Sequence, residues 1–188
     1  MRQELANAAF DLVLANGYEQ TVEELADALG ISRATFFRHL GSKEEIVVVA
    51  LLGPEELFAE AYARAGLGAS TSAWQRLKAA FEPVIVLAEA SPERMRARLG
   101  IVRSTPALGG RLQQARRPQI DRLAGAMVEE GHDPFAASIL ATAAVAAFIR
   151  CWVLWAEDES LELRLVVDRA FAHLDAASSP AALRSPQI

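Results

Sequence analysis

Apolar residues recur three and four positions apart along most of the chain, with polar residues filling the intervals. This pattern predicts helices and leaves no alternating run long enough for a strand. From Arg2 to Asn16, Leu5, Ala9, Leu12 and Val13 share one stripe, with Glu4, Asn7 and Asp11 elsewhere, and Gly17 closes the helix. Thr21 then starts a short helix whose apolar face is Val22, Leu25, Ala26 and Leu29, with Glu24 placed to reach back in a capping box. Gly30 supplies a left-handed turn and Ile31 an apolar plug. Ser32 caps a second short helix, Arg33 to about Leu40, which buries Phe36 and Leu40 and turns Arg33, Thr35, Phe37, Arg38 and His39 round its other faces. Ser42 with Glu45 opens the next helix, with Ile46, Val47, Ala50 and Leu51 inward, as far as Gly53-Pro54.

Further on, Pro54 kinks or restarts the helix, which continues through Leu57, Phe58 and Tyr62. The small residues of 65–71, AGLGAST, mark a linker. Ser72 and Gln75 cap a helix carrying Trp74, Leu77, Phe81, Ile85 and Leu87, bent by Pro83. Ser91-Pro92, Thr105-Pro106 and Asp133-Pro134 each read as a helix start, the second running through Leu108, Leu112, Ile120, Leu123 and Met127, the third to about Glu157. A last amphipathic helix carries Leu161, Leu165, Val166, Ala170, Phe171 and Leu174. The expected fold is all-α with about nine helices: a three-helix head with a helix-turn-helix at 1–52, a larger helical body at 53–176 and a loose tail at 177–188.

Charge changes the picture locally. The chain has 188 residues, 52% hydrophobic, and a formal charge of −5, which excludes a protein that coats nucleic acid indiscriminately. Yet no acidic residue lies between Ala28 and Ser42, where the outward cations sit. A single cysteine, Cys151, rules out an internal disulfide, and with no signal peptide the expected setting is the reduced cytoplasm. The long apolar run Phe135 to Trp155 is interrupted by Arg150 and rich in alanine, so a buried helix is expected rather than a membrane span. The three histidines, His39, His132 and His173, are scattered, and no GxSxG, HExxH or CxxC motif occurs, so no enzyme, metal site or cofactor is expected. Gly66 and Gly68 lack the strand–helix context of a phosphate loop.

The second short helix has the chemistry of a DNA reader. Arginine pairs bidentately with guanine, threonine meets a base edge or the thymine methyl, and serine or histidine reaches phosphate. Arg33 and Thr35 suit base edges, Ser32, His39 and Lys43 suit phosphate, Arg38 suits either, and Phe37 suits sugar or a thymine methyl. From Leu5 to Lys43, through the GYE turn at Gly17 to Glu19 and ending in ISRATFFRHLGSKEE, the chain resembles the N-terminal DNA-binding domain of TetR-type transcriptional repressors. Relative to that pattern Phe37 replaces a common tyrosine, Gly41 a common proline, and the basic N-terminal arm is reduced to Arg2. The resemblance implies a homodimer on a near-palindromic DNA operator, released by a small-molecule effector bound in the body. It places dimerisation in the last two helices.

Within the body, Trp74, Phe81, Met95, Leu99, Arg103, Met127, Phe148 and Trp152 are the candidates for an effector site, implying an apolar or amphipathic ligand. Ala144, Ala147, Trp152, Trp155, Leu161 and Leu165 are the candidates for the dimer interface, with alanines permitting close helix approach. Two other readings stay open: a helical protein-interaction module without DNA binding, and a small-molecule enzyme.

Overall fold

The computed structural model describes residues 1–65 and 71–178, and the described residues hold helices and no strand. Most of the 65–71 linker and of the 177–188 tail lies outside them. The helices are α1 (Arg2–Asn16), α2 (Val22–Ala28), α3 (Arg33–Leu40), α4 (Lys43–Leu52), α5 (Leu57–Arg64), α6 (Ala73–Ala79), α7 (Glu82–Ala90), α8 (Pro92–Ser104), α9 (Pro106–Ala115), α10 (Arg117–Glu129), α11 (Pro134–Glu157) and α12 (Leu163–Ala177). These twelve segments among the described residues exceed the nine expected because three helical runs are divided, at Gly53-Pro54, ahead of Pro83 and ahead of Pro118. Between α6 and α7 the backbone tightens to Ala80 N–H→Leu77 O and Phe81 N–H→Lys78 O, and Pro83 lies in the first turn of α7. The helix expected from Thr105 to Met127 breaks at Arg116, because Pro118 has no N–H to extend the ladder.

The start of the last helix also moves. Asp158 Oδ1 accepts from the backbone and hydroxyl of Ser160, at 2.9 and 2.6 Å, and this turn carries Leu161. The helix begins at Leu163 and continues to Ala177, into the stretch expected to be tail.

The chain forms two compact units. The first comprises 1–54 and 93–117, so α8 and α9 join the N-terminal helices. Its core gathers Phe10 and Val13 of α1, Leu25 of α2, Phe36 and Leu40 of α3, Ile46 and Val47 of α4 and Leu108 of α9. Each fully buried side chain of this size contributes about 1.5–3 kcal/mol of transfer free energy. α8 is fastened to α1 by Arg98, which is 4% exposed. Its Nη2 donates to Asp11 Oδ1 and its Nη1 to Asn7 Oδ1, both at 3.0 Å, and its guanidinium lies 5.1 Å from the Phe10 ring. Burial lowers its pKa, opposed by Asp11. Arg94 Nε donates to the same Asp11 at 2.9 Å.

The second unit comprises 55–92 and 118–178 of the described chain. Its core is an aromatic run: Phe81 stacks on Phe148 at 4.3 Å, Phe58 meets Phe81 edge-on at 5.0 Å, and Trp152 follows Phe148 at 5.9 Å. Arg164 of α12 forks to Glu82 and Glu89 of α7 at 2.8–3.1 Å. Such exposed pairs add little beside the apolar burial. Cys151 is buried and free.

Candidate nucleic-acid interface

The helix-turn-helix is built by local caps. The Thr21 hydroxyl accepts the Glu24 N–H at 3.2 Å while Glu24 accepts the Thr21 N–H at 2.8 Å, the full reciprocal box. Gly30 turns the chain at φ +66°. Thr35 N–H donates to Ser32 Oγ at 3.1 Å, and the two hydroxyls lie 2.9 Å apart, so Ser32 and Thr35 form one polar cluster at the start of α3. Ser42 caps α4 through Glu45 N–H at 3.2 Å.

α3 buries Phe36 and Leu40 and presents the rest, as the apolar spacing requires. Arg33, Phe37 and Arg38 are exposed, Phe37 at 45%, while Thr35 and His39 are half-buried. Arg33 Nε pairs with Glu23 Oε1 of α2 at 3.0 Å, and its guanidinium carbon stands 5.5 Å from the Phe37 ring centroid. Arg38 Nη2 and His39 Nε2 are 3.4 Å apart, so the histidine nitrogen must accept there. The base of the helix is braced by Arg2, whose Nε donates to His39 O at 3.1 Å and whose Nη2 meets Glu45 Oε1 at 2.8 Å. Arg2 therefore serves the fold as well as the charge of the head.

Lys43, expected on phosphate, is also engaged within the head. Its Nζ donates to Tyr18 O at 2.8 Å and lies 4.8 Å from the Tyr18 ring. Glu23 was not among the residues singled out from sequence. It stands ten positions before Arg33 on another helix, and no local spacing rule joins the two.

The proposed effector residues divide between the units. Met95, Leu99 and Arg103 are on α8 in the first, and Trp74, Phe81, Met127, Phe148 and Trp152 are in the second. Arg103 is exposed, whereas Arg98 on the same helix is buried and pairs with Asp11. Phe81 and Phe148 fill space against each other, whereas Trp74 lines a groove of about 760 Å³ between α6 and α12. Lys78 and Asp168 pair at its lip at 2.6 Å, Phe171 and Leu140 form apolar wall, and Trp74 Nε1 donates to Ser178 Oγ at 2.8 Å.

Of the residues proposed for a dimer interface, Ala144 and Trp155 are buried inside the second unit, Ala147, Trp152 and Leu161 are half-buried, and Leu165 is exposed. The outward stripe of α11 is Phe135, Ile139, Thr142, Ala146, Arg150 and Leu154. The same helix is the one element among the described residues long and apolar enough to cross a membrane. Its inner face is core, with Ala137, Ala141, Ala144, Val145 and Phe148 buried.

Comparison with known proteins agrees with this geometry. The family model for bacterial regulatory proteins of the tetR family matches residues 5–50. A curated relative, the HTH-type transcriptional regulator TcmR of Streptomyces glaucescens, is 43% identical over 58 residues, 30% of this chain and 26% of that protein. The match thus spans about a quarter of the relative's length. Among solved structures, FadR of Bacillus subtilis in complex with stearoyl-CoA aligns with a TM-score of 0.59 at 16% identity, over 92% of this chain and 96% of that one. The fatty acid degradation regulator FadR of Bacillus halodurans gives 0.55 at 17%, over 91% and 92%. A TetR transcriptional regulator of Legionella pneumophila gives 0.51 at 19%, over 93% and 95%. At such identities the structures establish the fold alone.

Proposed function

We propose, from the match of residues 5–50 to the model of the tetR family of bacterial regulatory proteins, that the protein is a dimeric, one-component transcriptional repressor released by a small molecule. Regulation of transcription, not catalysis, is its role. The observation that carries the reading is α3: a capped helix, free of acidic residues, whose outward set is Arg33, Thr35, Phe37 and Arg38. Two copies of that helix enter successive major grooves of a near-palindromic operator, roughly 34–36 Å apart. Ser32 and His39 accompany them on phosphate, with Lys43 contributing through-space charge from its place on Tyr18.

The second copy is brought by the outward stripe of α11, which offers Phe135, Ile139 and Leu154 to a two-fold partner, with Leu165 of α12 exposed as well. The effector is apolar or amphipathic. Supporting this are the apolar wall and charged lip of the groove at Trp74 and the stearoyl-CoA held by a protein of the same fold. Such a ligand acts only through its different affinity for the DNA-competent and the released conformations. The protein works in the cytoplasm, where the DNA is.

Selection from random duplex DNA by the full-length protein tests the reading. A two-fold-symmetric sequence with half-sites about one helical turn apart is the expected result. Recovery of no preferred sequence at low salt overturns it.

A further inference from the structure

The reading arginine arrives with its own carboxylate. Glu23 Oε1 forms an ion pair with Arg33 Nε at 3.0 Å while the Phe37 ring lies beside the guanidinium carbon at 5.5 Å. Both charged side chains are more than half exposed, so the pair adds little to stability. Its effect falls on the guanidinium instead. A guanidinium has five N–H donors in a rigid fork. With a carboxylate paired at Nε and a ring beside the guanidinium carbon, the fork is oriented from one side, and its terminal N–H groups have no other polar partner among the described residues. Those are the groups that pair with O6 and N7 of guanine. An arginine already oriented loses less rotamer freedom on contact than a free one.

The carboxylate also discriminates. A phosphate approaching Arg33 meets the charge of Glu23, whereas a guanine edge is neutral and acceptor-rich on that side. The neighbouring Glu24 is occupied by Thr21, at 2.8 and 3.0 Å, and does not compete for the arginine. The surrounding head has little attraction for DNA to spare: residues 1–54 contain four Lys and Arg against eight Asp and Glu. Selective use of each cation therefore matters here.

We propose that Glu23 is a specificity-determining positioning residue, which holds Arg33 for a base edge and away from the phosphate backbone. This rests on the DNA-reading function proposed above. The experiment uses full-length protein and the duplex it enriches from a random pool, with every base pair of one half-site varied in turn. Arg33→Ala identifies the pair Arg33 reads, as the position where discrimination disappears. Glu23→Gln keeps the side chain's shape and removes its charge. It is expected to lower discrimination at that same pair about tenfold, leave other positions unchanged, and bind random duplex at least as tightly as the parent. In an Arg33→Ala background Glu23→Gln is expected to change discrimination nowhere.

Several results overturn the inference: Glu23→Gln discriminating as the parent does, weakening all sequences equally as a merely structural residue would, or acting undiminished without Arg33. So does an Arg33→Ala protein that loses discrimination at no position. A parent that enriches no sequence overturns the DNA-reading function and this inference together. A parent that enriches one while Glu23→Gln matches it overturns this inference alone.

Discussion

Tyr18 shows how single side chains in the head are committed before any ligand arrives. Its carbonyl and ring hold Lys43, and its hydroxyl donates to Glu44 Oε1 at 3.4 Å. Burial first, and then the Glu44 carboxylate, push the phenol up to about 12; burial does the same for Tyr62 in the second unit, also to about 12. A folded-state pKa above the ordinary 10.0 means that the folded protein keeps the proton more tightly than the unfolded chain does. The stability this linkage supplies is fully present below pH 10 and is lost as pH rises towards 12. The chain has two tyrosines, so the ultraviolet signal of tyrosinate reports on these alone. It is expected to stay flat through pH 10 and rise near 12 together with loss of helical circular dichroism. A midpoint near 10 with the helices intact would count against the burial of both phenols. Lys43, held as it is, is expected to affect the salt dependence of DNA binding less than the slope of about 0.9 that a full phosphate contact carries.

At the scale of elements, the turn between α2 and α3 depends on Gly30, which at φ +66° has open space where a Cβ would stand. The cost of Gly30→Ala is therefore conformational, about 1–2 kcal/mol. Gly30→Asn should recover much of it, because asparagine tolerates the left-handed region. Denaturant unfolding is the measurement, and an alanine variant as stable as the parent would show that the turn can be made otherwise. These helices were legible in the sequence to the residue because their signals are local. Thr21 with Glu24, Ser32, Gly30 and Ser42 each act within one turn of backbone. The signals that failed were tertiary or masked by a stronger pattern. Apolar spacing continues from Leu112 to Ile120 across Pro118 and hid the break there. Nothing in the order of the chain tells that α8 and α9 complete the first compact unit, or that Arg98 rather than Arg103 is the buried arginine. Trp155 and Leu165 could be assigned to opposite sides of the core only by the packing of α11 on α12, which buries the tryptophan and leaves the leucine 59% exposed.

For the whole molecule, the proposed function places two heads on one duplex and assigns the α11 stripe to bring them together. Ile139, 54% exposed, lies within it. A carboxylate there puts two like charges across a two-fold axis in apolar surroundings. Ile139→Glu is expected to shift the protein from dimer to monomer in sedimentation while leaving its helical content unchanged. A variant still wholly dimeric would move the interface elsewhere. The negative head adds that affinity depends on both copies, so the monomeric variant should lose operator binding by far more than its intact α3 would imply. The most direct measurement is methylation interference on the enriched duplex, since methylation of guanine N7 modifies the major-groove edge that Arg33 would read. Two symmetric sites of interference about one helical turn apart, both abolished by Arg33→Ala, are expected. Binding indifferent to guanine N7 methylation, or interference confined to minor-groove adenine N3, would contradict the proposed function.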